Sequence, residues 1–203
     1  MLAKSEITRA KILVAAEAEF SEKGYFGARV DEIAAVAGVN KRMIYQHYES
    51  KDGLYKAVLL SVYERLSKCE ESFCVENLEP SLAIKNIVYS YFRFLEENPS
   101  FVRMLMWENL NYGSCIEEGE VRRLKDPTTS YIRSQLRRGC EKGLFRPDVD
   151  EYQVIVSITS FAFSYFSNIH TLSAIFNKDM NNSAEILKRA EHVSNLILKD
   201  LLK

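Results

Sequence analysis

The sequence has few of the residues that interrupt helices. Its 203 residues include only 8 Gly and 4 Pro, and no stretch alternates apolar and polar residues as a half-buried strand does. Long stretches are instead rich in Ala, Leu, Glu and Lys, which favour helices. The sequence therefore predicts an all-α protein.

Long apolar runs are also missing. The most apolar segment, residues 154–166, is interrupted by Ser and Thr and is shorter than the roughly 20 residues that span a bilayer. The N-terminus has no apolar core followed by a cleavage site, and the cysteines lack the short paired spacing of a zinc site. We expect a cytoplasmic protein with reduced thiols, no metal site and no membrane partner. The cysteines are Cys69, Cys74, Cys115 and Cys140.

Residue patterns that build catalytic sites are absent as well. The three histidines have no metal-ligand spacing, and the sequence contains no glycine-rich phosphate loop and no nucleophile elbow. We expect no catalytic residues, no cofactor and no enzyme activity. The formal net charge of −1 excludes no partner, because it sums regions whose charges can differ.

Glycine, proline and capping residues divide the chain into helical segments. Gly24 ends the first predicted helix and Gly38 the second, while Asn40 and Ser50 are placed to cap the third and fourth. The predicted helices cover residues 6–23, 30–37, 41–47, 51–71, 82–97, 100–112, 120–125, 128–142, 148–176 and 184–202.

A very short turn separates the second and third predicted helices. Gly38 can adopt the left-handed backbone conformation there without a steric penalty. Ile33 and Ala34 of the second helix can then pack with Ile44 of the third against Phe20 of the first. Three short helices that share one core in this way form a helix-turn-helix.

The third helix would expose a polar and basic side. Such a helix fits the major groove of DNA, which is about 12 Å wide, where Arg can bind guanine through two hydrogen bonds. Met43 could touch a thymine methyl group or serve a purely structural role. Alternatively, the exposed basic side of this helix contacts only solvent and no DNA. The candidate DNA-binding residues on this side are Asn40, Lys41, Arg42, Met43, Gln46 and His47.

Residues 9–59 resemble the N-terminal domain of the tetracycline-repressor (TetR) family of bacterial transcriptional regulators. They read RAKILVAAEAEFSEKGYFGARVDEIAAVAGVNKRMIYQHYESKDGLYKAVL. The segment has the family's Ile-Leu-x-Ala-Ala opening, its Ile-Ala-x-x-Ala-Gly-Val turn and its Ile-Tyr-x-His-Tyr sequence. The resemblance implies a dimeric, ligand-responsive DNA-binding protein with an all-helical C-terminal domain.

The resemblance also implies further contacts with DNA. Carried over by position, Tyr45 and His47 would each contact a phosphate, and Lys51 would meet a phosphate from the start of the fourth helix. Tyr48 stands where the family usually has Phe, so we expect it to pack inside the domain.

The chain departs from the family pattern in two places. Arg29 stands where the family commonly has a capping Ser or Thr, and it can reach a phosphate but caps poorly. Arg42 and Met43 stand where many members have Gly and a small residue. The operator sequence therefore cannot be taken from relatives.

The rest of the chain has aromatic residues at helical spacing. Such residues usually form a core, but they can also line a ligand cavity. Polar residues among them favour a cavity. A short similarity of residues 101–111 to pyrimidine-sensing members does not identify the effector. The candidate ligand-binding residues are Arg103, Trp107, Asn111, Phe161, Tyr165 and Asn168.

The last predicted helix has an apolar stripe that must be buried. Packing within its own subunit and pairing in a two-fold four-helix bundle are both open from the pattern alone. The resemblance favours a homodimer through the last two helices, which would set two recognition helices about 34–36 Å apart on DNA. The stripe consists of Ile186, Leu187, Ala190, Val193, Ile197 and Leu201.

We therefore predict an N-terminal three-helix helix-turn-helix DNA-binding domain, residues 1–50, and a larger helical effector-binding and dimerisation domain, residues 51–203. The predicted function is a repressor that binds a palindromic double-stranded DNA operator as a dimer and is released by a small-molecule effector. The alternative, favoured by the departures at Arg29, Arg42 and Met43, is a helical small-molecule-binding module that no longer binds DNA.

Overall fold

The computed structural model describes residues 4–75, 77–115 and 119–203. These residues form ten α-helices and no strand, apart from one isolated antiparallel bridge between Phe145 and Leu202. None of the described helices combines the length and the apolar character that crossing a bilayer requires. The predicted all-α class is confirmed. The helices are α1 (Lys4–Gly27), α2 (Val30–Ala37), α3 (Lys41–Tyr48), α4 (Lys51–Glu71), α5 (Pro80–Glu97), α6 (Pro99–Leu110), α7 (Glu120–Glu141), α8 (Glu151–Ser167), α9 (Ile169–Phe176) and α10 (Ser183–Leu201).

The chain folds as two compact units. The first unit comprises Met1–Glu64 and Ser100–Val121, and the second comprises Arg65–Pro99 and Arg122–Lys203. The helix α4 therefore begins in the first unit and ends in the second. The predicted division between residues 50 and 51 concerns function and stays a prediction, because these units reflect packing alone.

The first unit has one apolar core, to which α1, α2, α3 and α4 all contribute. Phe20, Ile33 and Ile44 are fully buried in it, and α6 adds Met104. The Phe20 ring meets the Tyr55 ring edge to face, with 5.0 Å between the ring centroids. The predicted packing of the first three helices is confirmed, and this core holds α3 in place beside α2.

In the second unit, α10 packs against α5 and α8. Most of its apolar stripe is buried there within a single chain, whereas Leu187 is 57% exposed. The sequence left two arrangements open, and this stripe packs within its own subunit. The buried members are Ile186, Ala190, Val193, Ile197 and Leu201.

The structure contradicts the predicted break before residue 128. Residues 120–141 form the single helix α7, with Pro127 inside it. A proline lacks the backbone N–H that an interior helical position normally uses. The Thr129 hydroxyl donates to the carbonyls of Lys125 and Asp126, both at 3.1 Å, beside the proline. The helix thus continues past a proline, a residue that normally ends a helix, and the Thr129 side chain binds backbone carbonyls at this point.

The predicted single helix over residues 148–176 is also wrong. Asp150 caps the start of α8 by accepting from the N–H of Tyr152 at 3.0 Å, so the helix begins at Glu151. Asn168 then separates α8 from α9, with φ −110° and ψ 13°. Its side-chain amide and its backbone N–H both donate to the Ser164 carbonyl, at 2.9 and 3.3 Å, so Asn168 closes the end of α8.

Candidate nucleic-acid interface

A tight turn joins α2 to α3. Gly38 has φ 66° and ψ 36°, a left-handed conformation that is costly for residues with a Cβ. The N–H groups of Gly38 and Val39 donate to the carbonyls of Ala35 and Ala34 at 3.2 and 3.0 Å. These two bonds form the Schellman motif that closes a helix. The chain thereby changes direction within residues 38–40, as a helix-turn-helix requires.

The helix α3 buries one side and exposes the other. Ile44 and Tyr48 are buried, whereas Tyr45 is 41% exposed. The Asn40 side chain accepts from the N–H of Arg42 at 2.8 Å, so it caps the helix as predicted. Lys41, Arg42, Tyr45 and Gln46 are exposed, and Met43 and His47 are partly buried. The structure thus brings the seven candidate residues from 40 to 47 together on or beside one face, and their contacts with DNA stay a prediction.

Tyr48 packs inside the unit, as expected. It is buried, and its hydroxyl donates to the Arg9 carbonyl at 3.2 Å. The guanidinium of Arg9 also lies 5.8 Å from the centroid of its ring. Tyr48 therefore ties the end of α3 to α1 and has no part in the exposed face.

Arg29 precedes α2 without capping it through its side chain. Its backbone N–H donates instead to the Glu19 carboxylate at 3.2 Å, and the same carboxylate binds Lys23 at 2.9 Å. The Arg29 side chain is exposed next to the start of α2. The expectation that Arg29 caps poorly is confirmed, and its predicted phosphate contact stays a prediction.

Lys41 already has an ionic partner in its own chain. Its Nζ lies 2.9 Å from the Asp31 carboxylate, and this hydrogen bond raises the pKa of Lys41. Both side chains are exposed, and ion pairs of this kind contribute little to stability. A DNA phosphate can therefore replace Asp31 at a small cost. Sequence reasoning missed this contact, because it joins two different helices.

Lys51 is also bound within the first unit. Its Nζ donates to the Ala28 carbonyl at 2.7 Å and lies 4.8 Å from the centroid of the Tyr25 ring. An ammonium group has three N–H donors, so further donors are left for a phosphate. Ser50 caps α4 as predicted, since its hydroxyl accepts from the N–H of Gly53 at 2.9 Å.

Three of the predicted ligand-binding residues lie in the first unit, where Trp107 supports α1. The indole N–H of Trp107 donates to the Ser21 carbonyl at 3.3 Å. A Cβ added to Gly24 would lie 2.7 Å from the indole ring, so the ring covers this glycine directly. Arg103 is exposed, and Asn111 is partly buried beside a surface cleft.

The other three predicted ligand-binding residues lie in the second unit. Tyr165 is buried and donates to the Met180 carbonyl at 2.6 Å. Phe161 lines a groove between α8 and α10. Asn168 is exposed at the end of α8. The six residues are thus divided equally between the two compact units, and their role in effector binding stays a prediction.

A small cavity in the second unit was not predicted. Its volume is about 40 Å³, and its wall includes Ile87, Tyr91 and Ile158 from α5 and α8. At its edge Lys125 forms an ion pair with Glu70, whose carboxylate also accepts from the Thr128 hydroxyl at 3.0 Å. Glu70 is far from Lys125 and Thr128 in the sequence, and no local pattern predicts that they meet.

Two family models match the chain. The one described as "Bacterial regulatory proteins, tetR family" matches residues 12–58, and the one described as "Tetracyclin repressor-like, C-terminal domain" matches residues 80–197. The first match includes the whole of α2, the turn and α3. The second covers more than half of the chain.

Known proteins resemble the chain over nearly its full length. The "HTH-type transcriptional repressor NicS" of Pseudomonas putida is 30% identical over 199 residues, which are 98% of this chain and 94% of the relative. The "HTH-type transcriptional regulator RutR" of Escherichia coli K12 is 24% identical over 94% of this chain and 88% of the relative. The solved structure of the TetR family transcriptional regulator PfmR from Thermus thermophilus has a TM-score of 0.74 at 24% identity. That match covers 96% of this chain and 97% of PfmR, and it shows the fold alone.

Proposed function

Because the chain belongs to the TetR family of bacterial transcriptional regulators, we propose that it is a repressor that binds a palindromic operator as a dimer and leaves it when a small-molecule effector binds. The observation that carries the proposal is the outward face of α3, which a closed turn and a capped start hold in one orientation. A relative named as a repressor, at 30% identity, supports the direction of regulation. Since its target is chromosomal DNA, the protein would act in the cytoplasm.

The outward face of α3 has the chemistry that reads DNA. Arg42 lies in the first turn of the helix, where a guanidinium can form two hydrogen bonds to guanine in the major groove. Tyr45 and Gln46 follow on the same exposed side. Hydroxyl groups such as that of Tyr45 mostly bind phosphate, which positions the protein without reading sequence.

The groove between α8 and α10 supports the dimer part of the proposal. Since most of the stripe of α10 is buried in its own chain, a partner subunit would contact the exposed side chains beside it on these helices. Leu196 is 45% exposed and lines that groove with Phe161, and Val156 is 37% exposed on α8. A two-fold contact of α8 and α10 with their copies would bury these side chains.

The cavity at Glu70 and Lys125 supports the effector part. It combines an apolar wall with a charged edge, as small-molecule sites do. Its volume of about 40 Å³ holds only a few water-sized groups, so an effector would have to widen it. A ligand that binds the widened state better would shift the protein toward that state.

Selection of genomic fragments by the purified protein tests the proposal. We expect enrichment of a palindromic sequence, followed by its release when the correct small molecule is added. Fluorescence anisotropy at several salt concentrations then gives the affinity and the number of phosphates contacted. If no fragment is enriched over bulk DNA at any salt concentration, the operator part of the proposal is wrong, and the result favours the alternative of a small-molecule-binding module without DNA binding.

A further inference from the structure

A cleft in the first unit lies between the end of α1, the start of α4 and the residues that follow α6. It has a volume of about 390 Å³, which is within the range of small-molecule sites. Tyr25, Phe26, Tyr55 and Tyr112 form an aromatic part of its wall. None of the candidate DNA-binding residues lines this cleft.

The rim of the cleft exposes large apolar side chains. Phe26 is 83% exposed, Leu110 is 66% exposed and Tyr112 is 99% exposed, although all three line the same cleft. A cluster of exposed apolar side chains around a concave surface is typical of a binding site. The rim therefore favours a ligand with an apolar body.

The wall of the cleft also has a negative charge at Asp52. The Tyr25 hydroxyl donates to this carboxylate, and the hydrogen bond raises the pKa of Tyr25 to about 12. The tyrosine therefore remains neutral at ordinary pH. The ammonium of Lys51 lies 4.8 Å from the centroid of the Tyr25 ring and is held by the Ala28 carbonyl. This ring is thus already in contact with one cation.

A second carboxylate is buried directly behind the wall. Glu108 is 1% exposed, and its Oε1 accepts from the N–H of Cys115 at 2.8 Å. Its Oε2 and the buried Tyr55 hydroxyl face each other beyond normal hydrogen-bond distance, and neither has another partner among the described residues. Burial, and then the charge of Glu108 and its weak hydrogen bond with the hydroxyl, raise the pKa of Tyr55. Since Tyr55 and Cys115 both line the cleft, Glu108 faces its wall from inside.

Neither of the two ammonium groups near the cleft, those of Lys51 and Lys56, pairs with Glu108. Glu108 forms no ion pair in the described part of the chain, and a buried carboxylate without a cation is costly. Lys56, the other ammonium nearby, lies 3.2 Å from Glu120. A cation in the cleft would gain from both carboxylates and from the faces of the aromatic rings.

We propose that this cleft binds an organic cation, a protonated or quaternary amine with an apolar body. The charged nitrogen lies near the exposed Asp52, at the wall behind which Glu108 is buried, and the apolar body lies against Phe26 and Tyr112. The site is separate from the cavity at Glu70 and Lys125, so it stands whether or not that cavity binds the effector of the repressor.

Titration of the full-length protein with choline and benzyltrimethylammonium, followed by the NMR signals of their methyl groups, tests the proposal. The uncharged control is 3,3-dimethylbutan-1-ol, which has the shape of choline without its charge. We expect saturable binding of both cations and at least about tenfold weaker binding of the alcohol, since the charge supplies most of the attraction.

Variants of the wall and the rim give the second part of the test. We expect Glu108→Gln to weaken binding of both cations about tenfold. Tyr112→Ala should weaken binding of benzyltrimethylammonium about two- to fivefold, since it removes one exposed aromatic contact with the apolar body. Tyr152→Ala, which removes an exposed tyrosine of the second unit, and Glu32→Gln, which removes an exposed carboxylate of α2, are the matched controls and should bind as the wild type does.

Three results would overturn the proposal. They are equal binding of the alcohol and choline, no saturable binding of either cation up to about ten millimolar, and equal losses in Tyr112→Ala and Tyr152→Ala. If Glu108→Gln does not fold, Asp52→Asn replaces it, because Asp52 is exposed and its substitution leaves the core intact.

Discussion

Arg42 and Tyr45 lie on the same exposed side of α3, but we expect them to contribute differently to DNA binding. Arg42→Ala should lower affinity for the preferred site by about 1–3 kcal/mol and relax the preference at one base position. Tyr45→Phe should weaken binding to all sequences by a similar factor, because a phosphate contact reads no base. Competition anisotropy with single-base variants of the operator measures both effects.

Arg122→Ala serves as the control for the loss of an exposed arginine, since Arg122 lies on α7. Unchanged affinity and base preference in the Arg42 and Tyr45 variants would show that α3 does not enter the groove.

The ion pair between Lys41 and Asp31 gives a second prediction at the scale of single residues. Asp31→Asn removes the acceptor that holds Lys41, so we expect tighter DNA binding. The dependence of log affinity on log salt concentration should become steeper by about 0.9, the value of one additional phosphate contact. Anisotropy titrations from low to high salt measure this slope.

Glu32→Gln is the matched control, because it removes the same charge from the same turn of α2 without releasing Lys41. If both variants change the slope equally, the effect comes from net charge and not from Lys41.

At the scale of helices and turns, two glycines with positive φ should respond differently to alanine. A Cβ at Gly38 would meet nothing within 4 Å, so Gly38→Ala should lower the free energy of unfolding by about 1–2 kcal/mol through backbone conformation alone. Gly24 has φ 67° and ψ 178°, and a Cβ there would also collide with Trp107. Gly24→Ala should therefore cost more, about 2–5 kcal/mol. Urea denaturation followed by circular dichroism measures both.

The double variant Gly24→Ala with Trp107→Leu separates the two contributions at Gly24. The smaller side chain should remove the steric part, so the two substitutions together should cost less than the sum of their separate effects. Simple additivity would mean that the indole does not oppose a side chain at Gly24.

Local signals made the first half of the chain predictable. Gly38, Asn40 and Ser50 mark helix ends that depend on neighbouring residues alone, and the predicted bounds of α2 and α4 agree with the structure. Neighbouring residues do not predict the structure at Pro127 and Asn168. At Pro127 the signal for a break is present but α7 continues, and at Asn168 the break occurs inside an apolar run without glycine or proline.

The residues of the candidate site could be predicted from the sequence, but their contacts with other parts of the chain could not. The polar face of α3 follows from helical spacing, so its exposed residues could be identified from sequence. The contacts of Lys41 with Asp31 and of Lys51 with Ala28 join separate elements. The same limit applies to the six ligand-binding candidates, which the fold divides between two units.

At the scale of the whole molecule, the apolar stripe of α10 is buried within its own chain, so we expect other residues of α8 and α10 to hold the dimer together. Leu196→Glu places a charge in the groove between α8 and α10, so we expect the protein to become monomeric at micromolar concentration. Operator affinity should fall with it, since two half-sites must be bound together. Sedimentation velocity gives the mass, and anisotropy gives the affinity.

Leu82→Glu on α5 is the control, because Leu82 and Leu196 are equally exposed at 45%. It should leave the dimer intact. A Leu196→Glu protein that remains dimeric would exclude this groove as the contact between subunits.

The contact of Trp107 with Gly24 and Ser21 has a practical consequence. The chain contains a single tryptophan, and its indole N–H is bound to a carbonyl of α1. The tryptophan emission of the unlabelled protein therefore reports on one place, where α6 meets α1, the helix that precedes α2. A shift of its emission wavelength would give a time-resolved optical signal of any rearrangement between these two helices, without attaching a dye.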